Sequence, residues 1–184
     1  MAETRTRLTA EDLLRLPDNG MRRELVAGEL IEMSPASPRH GLVANRLAAP
    51  LSVFVDEHDL GEVFAAETGF RLARDPDTVR APDVTFISKD RLSQADVDGF
   101  PDLAPDLVVE VVSPGDSANE IQAKVDEWLR AGTRLVVVLY PAHRSAVVHR
   151  TDGASQRYQA GDTLTLEPVV PGFSLALERL FRRR

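Results

Sequence analysis

The stretch Asp106–Val112, DLVVEVV, constrains the fold more than any other part of the chain. Apart from one glutamate it is almost continuously apolar, the composition of a central strand covered on both faces. Arg134–Tyr140, RLVVVLY, reads as a second buried strand. Between them, Asp116 or Ser117 caps a helix to about Ala131, with Ile121, Val125, Trp128 and Leu129 inward and Gly132 just past its end. Strand, helix and strand in this order predict an α/β fold.

The flanking segments extend that frame. Thr9 and Asp12 have capping-box spacing and open a short helix that Pro17 stops. Arg23–Met33 reads as a β-hairpin turning at Ala27-Gly28. Ser37-Pro38 starts a helix to about His58, with Val43, Leu47, Leu51, Phe54 and Val55 on its apolar face and Pro50 expected to kink it. Strands follow at 62–73, which reads as broken, and at 83–87. Residues 145–150, 156–159 and 163–166 suggest a peripheral antiparallel meander, closed by the amphipathic FSLALERLF. No repeat, low-complexity tract or linker interrupts the 184 residues, which predicts one domain over 1–184.

Composition removes several function classes. The chain has no cysteine, which excludes disulfides, a thiolate zinc site and a cysteine nucleophile and suits a reducing compartment. The charged MAETRTRLTAEDLLRLP has no signal-peptide core, and no run of about 18 apolar residues offers a membrane span. A cytoplasmic protein without membrane partners is expected. The net charge of −7 argues against loose coating of nucleic acid, though not against an enzyme with a local basic rim. No serine-nucleophile elbow, phosphate-cradling loop or dinucleotide fingerprint occurs, and His40, His58, His143 and His149 lack zinc spacing.

Glu110 is the most informative residue. An unpaired carboxylate inside LVVEVV would cost several kcal/mol or take up a proton. A cation partner, a bound metal or a place where the strand meets a cleft would each relieve it; pairing with arginine is the purely structural alternative. Asp83, after Pro82, is a second acid at the mouth of an apolar strand. Two close carboxylates raise each other's pKa, a conflict that a hard divalent cation removes. The Val111 carbonyl is a reasonable third ligand. Lys124 is one of only two lysines, with Lys89, and lies on the helix after the strand. A right-handed return of that helix would bring its ammonium toward the strand's carboxyl end, where it could orient water or stabilise developing charge. A solvated lysine is the alternative.

RAPDVTFIS, PDLVVEVVSPGD and KVDEWLRAGTRLVVVLYP, with RRELVAGELIEMSPASPRH and VVPGFSLALERLF, resemble the Uma-two family of bacterial endonucleases in the PD-(D/E)XK superfamily. The likeness covers almost the whole chain. It implies a restriction-endonuclease-like mixed sheet flanked by helices, with an N-terminal β-hairpin and a C-terminal antiparallel meander. It also implies Mg2+-dependent hydrolysis of phosphodiester bonds, with Mn2+ as an alternative, nucleic acid and specifically DNA as partner, Asp83 and Glu110 as metal ligands, and Lys124 as catalytic lysine. Where the superfamily motif has its lysine this chain has Val112, so Lys124 stands as a displaced counterpart. A catalytically inactive binding or regulatory module on the same fold is the competing reading. His40 in SPRH also matches the family's pattern; at a helix N-terminus its cationic form is disfavoured, which suits a neutral hydrogen-bonding role near the cleft. Arg22, Arg23, Arg39, Arg71, Arg74 and Arg80 are candidates for a phosphate-contacting rim, with Arg39 and Arg80 taken as substrate-binding alongside His40. Glu24 and Glu67 rank low as further acids, and Arg182–Arg184 reads as a frayed tail. A homodimer is a reasonable expectation that no motif establishes.

Overall fold

A computed structural model of the protein describes residues 7–95 and 98–182. The charged start through Thr6, and Arg183 and Arg184 of the terminal arginine run, lie outside the described residues. In chain order the elements are α1 (Ala10–Arg15), β1 (Arg22–Val26), β2 (Glu29–Met33), α2 (Pro38–Glu57), β3 (Gly61–Ala65), β4 (Phe70–Ala73), β5 (Thr78–Arg80), β6 (Val84–Ser88), α3 (Lys89–Leu92), β7 (Leu107–Val111), α4 (Ala118–Ala131), β8 (Leu135–Tyr140), β9 (Ser145–Arg150), β10 (Ser155–Tyr158), β11 (Thr163–Thr165), β12 (Ser174–Ala176) and α5 (Glu178–Phe181).

Local chemistry explains most of the boundaries. Thr9 and Asp12 close a reciprocal capping box on α1, and Ser117 and Glu120 do the same on α4. Ser37 caps α2 by accepting from the His40 N–H, with Pro38 in the first turn; the helix runs on through Pro50. Ala27 and Gly28 both have positive φ, as a tight primed turn between β1 and β2 requires. Gly132 ends α4 in the left-handed region at φ 108°.

The main sheet has the order β10-β9-β8-β7-β6-β3. Its one parallel pair is β7 with β8, which α4 connects, and Glu110 lies level with Val138. On one face, Val84, Phe86, Val109, Val111, Val137 and Leu139 pack against Val43, Leu47, Leu51 and Val55 of α2. On the other, Val108, Val136 and Val138 meet Val125 and Trp128 of α4. Each fully buried Val or Leu contributes about 1.5–3 kcal/mol. The alternation of β7 therefore puts Glu110 with Val108, on the α4 side.

A second sheet, β2-β1-β5-β4, is antiparallel and packs with α1 around Leu13, Leu25 and Val79. Two expectations change here. The segment read as one broken strand over 62–73 separates into β3 and β4, which belong to different sheets, and the three-residue β5 has too short an apolar pattern to announce itself. The C-terminal meander is not peripheral as a unit. β9 and β10 extend the main sheet, while β11 pairs with β12 and FSLALERLF divides into β12 and α5, whose Leu175, Leu177, Leu180 and Phe181 join the α2-side core. Among the described residues no helix is long and apolar enough to cross a membrane.

Candidate active site

Glu110 stands on β7 facing α4. Trp128 Nε1 donates to its Oε1 at 2.9 Å, and Lys124 Nζ lies 3.7 Å from its Oε2. Lys124 and Trp128 are four residues apart on one helix and so share a face. Burial pushes the Glu110 carboxyl up to about 7; Lys124 opposes the shift, while the charges of Asp83 and Glu24 add to it. Burial would depress Lys124, but Glu110 and Glu24 outweigh it and hold the ammonium above its ordinary range. The pair-with-arginine alternative for Glu110 does not hold: its cation is Lys124.

Asp83 is almost fully buried just before β6. Oδ1 takes a 2.9 Å bond from His40 Nε2, Oδ2 takes 2.7 Å from the Val111 N–H, and Arg22 Nη2 stands at 3.5 Å from Oδ1. An ionised carboxylate only accepts, so Nε2 carries the His40 proton, and in the neutral ring Nδ1 accepts from Ser113 Oγ at 3.0 Å. Burial raises the Asp83 carboxyl, but the His40 hydrogen bond, the Val111 N–H and Arg22 together leave it below its ordinary value. His40 is thus buried and hydrogen-bonded through both ring nitrogens, to Asp83 and to Ser113.

Glu24 is the residue that sequence reasoning ranked too low. At 1 % exposure it projects from β1 into the same site, its Oε1 accepting from the Ala81 N–H at 3.1 Å and its Oε2 from Arg80 Nη1 at 2.7 Å, with Lys124 Nζ 3.9 Å away. Arg80 also reaches Glu127 on α4, Nε to Oε2, at 2.5 Å. Arg80 is thus an interior tie between two carboxylates, which corrects its placement on a phosphate-contacting rim. Arg39 is exposed but donates to the Pro141 carbonyl. Arg23 is bound to Glu32, and Arg71 and Arg74 to Asp102, so these three do not form a free rim either. Glu67 lies exposed in the turn after β3, away from the site. The signals that could have promoted Glu24 were its place beside Leu25 in the hairpin and the need of Arg80 for a partner. Trp128 was read only as core.

A cleft of about 490 Å³ opens over Glu24, Arg80, Glu110, Val111 and Lys124. A neighbouring pocket of about 350 Å³ is lined by Arg39, His40, Ser113, Tyr140 and His143, and the two share Val112, Asp116 and Ile121. Asp83 lies behind both. Among the described residues no three His, Asp or Glu side chains converge as a ready ligand set. The donors that exist are nonetheless hard carboxylate oxygens, as Mg2+ prefers. Among the described residues Glu110 Oε2 accepts no hydrogen bond, and each Asp83 oxygen keeps lone-pair capacity beside the bonds it accepts. The donor chemistry fits a cation held by two carboxylates, a carbonyl and water.

The chain matches the Uma2 family, described as "Putative restriction endonuclease", over residues 10–178. No curated protein matches it. Among solved structures it is similar to a "putative nuclease belonging to DUF820" from Anabaena variabilis ATCC 29413, at 17% identity, a TM-score of 0.79, and coverage of 95% of this chain and 97% of that one. At that identity the likeness carries the fold. The family match spans nearly the whole described chain, including every element that builds the cleft, and on that ground this protein is a member of the Uma2 family.

Proposed function

We propose that the protein is a metal-dependent endonuclease that hydrolyses phosphodiester bonds in DNA, with Mg2+ as cofactor and Mn2+ as an alternative. Asp83, Glu110 and the Val111 carbonyl are the proposed ligands, and Lys124 the catalytic lysine. The observation that carries this reading is the meeting of Glu110 and Lys124 at 3.7 Å on the wall of one cleft, within electrostatic reach of Asp83 and Glu24. A divalent cation, when bound, supplies Lewis acidity and offsets the clustered negative charge.

The chain's own residues supply the rest. Trp128 and the β7 backbone hold Glu110 in one orientation, so that Oε2 faces Lys124. Without a cation burial raises the Glu110 carboxyl to about 7, so holding it ionised at the cleft needs positive charge beside it, which Lys124 supplies and a bound cation would supply. The Lys124 ammonium, tied to Glu24 and Glu110, is placed to stabilise charge that develops on the phosphoryl oxygens. His40 and the Val111 N–H fix the Asp83 carboxylate and keep it ionised.

Purified wild type should nick supercoiled plasmid in Mg2+ and not in EDTA. Asp83→Ala and Glu110→Ala should each lose that activity by at least roughly a hundredfold, the scale of removing a principal electrostatic contributor, with unchanged circular dichroism. Undiminished nicking by both variants removes the proposal. One observation favours a second reading, an inactive nuclease-fold module: Asp83 and Glu24 are already compensated by His40, Arg22 and Arg80. Calorimetric titration with Mg2+ and Mn2+ separates the two, since a module of that kind needs no cation.

A further inference from the structure

The pockets on this face form a connected series in which the charge reverses. The cleft at Glu110 is lined by Glu24, Glu29, Glu110, Asp116 and Glu120 against Arg80 and Lys124. Such a wall repels a phosphate backbone, and affinity for a polyanion comes from cationic contacts. The His40 pocket follows, and through His143 it adjoins a third depression of about 580 Å³ formed by His143, Arg144, Ser145, Arg157, Gln159 and Ala160. This one has two arginines and no carboxylate in its lining, on a chain whose net charge is −7.

Its arginines differ from those near the cleft. Arg22, Arg23, Arg71, Arg74 and Arg80 are all held by carboxylates. Among the described residues, the guanidinium groups of Arg144 and Arg157 have neither an ion-pair nor a hydrogen-bond partner, and both residues are exposed. Arg144 ends the turn from Pro141 that joins β8 to β9, at φ 51°, where glycine or asparagine would sit with less strain. Beside it the Ser145 hydroxyl is buried with no hydrogen-bond partner among the described residues. Arg157 lies close enough to Tyr140, in the wall of the His40 pocket, for its charge to act on the phenol, so the basic depression and that pocket are neighbours in charge as well as in shape.

We infer that the depression lined by Arg144, Arg157, His143 and Ser145 is a phosphate subsite that grips the nucleic-acid backbone away from the bond being cleaved. Two guanidinium groups match the geometry of a phosphodiester, and the connected pockets lead from there past His40 to Glu110. The inference rests on the nuclease reading for the identity of the polyanion, but its test does not depend on turnover.

The test is fluorescence polarisation of a labelled duplex oligonucleotide in EDTA, with the full chain, over a series of NaCl concentrations. Arg144→Ala/Arg157→Ala should bind roughly tenfold or more weakly at low salt, with the log–log salt slope shallower by about 1.8, the value for two lost phosphate contacts. Its circular dichroism and its hydrolysis of the small diester bis(p-nitrophenyl) phosphate should match wild type, because that substrate does not extend to the subsite. Unchanged affinity and salt slope overturn the inference. If inorganic phosphate binds in an Arg144- and Arg157-dependent way while oligonucleotide affinity is unaffected by the double substitution, the site takes free phosphate and the backbone assignment falls. If a polyglutamate peptide displaces the oligonucleotide as well as unlabelled DNA does, an acidic protein partner replaces it. Should wild type hydrolyse no diester while the double variant still loses oligonucleotide binding, the subsite stands and the nuclease reading is what fails.

Discussion

Glu110 has a carboxyl whose protonation the folded protein prefers up to about pH 7, against 4.5 as its ordinary value. Between those limits the native state binds more protons than the unfolded chain, so stability falls as pH rises through the window. At pH 8 the penalty for holding the charge is on the order of 3 kcal/mol. Glutamine at this position keeps an acceptor for Trp128 and removes the charge. In EDTA, Glu110→Gln should therefore melt higher than wild type at pH 8 and close to it near pH 4.5, where both are neutral. Melting profiles that run parallel across pH 4–9 would show that Glu110 ionises at its ordinary value. Asp83 has the opposite sign: its lowered carboxyl stabilises the protein above the ordinary carboxylate range, and that contribution is lost as pH falls through its folded value. Glu110 was legible as an anomaly because a charge in an apolar run has no local explanation. Trp128 was not, since an inward tryptophan on an amphipathic helix is already accounted for by packing, and only its indole N–H at 2.9 Å from Glu110 reveals the second task.

Helix α4 delivers Lys124, Glu127 and Trp128 together, and its own ends were readable because capping is a property of neighbouring residues. Ser117 Oγ accepts from the Glu120 N–H at 3.2 Å, and the Glu120 carboxylate returns 2.9 Å to the Ser117 N–H. Ser117→Ala should lower stability by about 1 kcal/mol, measured by urea unfolding. It should reduce diester cleavage less than Lys124→Ala does, because the helix remains while its first turn frays. A loss equal to that of Lys124→Ala would mean that Ser117 acts in the site itself. β3 offers a sharper case. A methyl group added at Gly61, φ 149°, would lie 2.0 Å from the Ile87 carbonyl oxygen, which belongs to the partner strand and cannot swing aside. Gly61→Ala should cost more than about 2 kcal/mol in the same measurement. An isolated glycine at a strand start announces none of this.

Across the whole molecule, Arg80 of β5 ties the second sheet to α4 by holding Glu24 of the same sheet's β1 and Glu127 of α4 at once. Removing one partner of a buried pair leaves an uncompensated charge, a loss of about 3–5 kcal/mol, whereas replacing both with neutral groups is far milder. Arg80→Met should show a destabilisation of that size by chemical unfolding, and Glu24→Gln/Arg80→Met should recover a large part of it. Equal stability of the single and double variants would show that the bridge carries no coupling. Burial lowers the Arg80 guanidinium, but Glu24 and Glu127 outweigh it and raise it overall, so it stays charged throughout the accessible pH range and the tie does not titrate away from the arginine side.

The three principal helices, the buried strands β7 and β8 and the hairpin were written in short-range patterns: caps, primed-turn residues, apolar periodicity. These act over a few residues and survive in any tertiary context. What only the tertiary structure decided is which groups meet. Glu24 and Arg80 are 56 residues apart, Arg80 and Glu127 are 47, and His40 and Asp83 are 43. No periodicity reports on such pairs, because they are selected by how the sheets pack and not by any local preference. The same reason divided β3 from β4 and turned Arg80 from the surface to the interior.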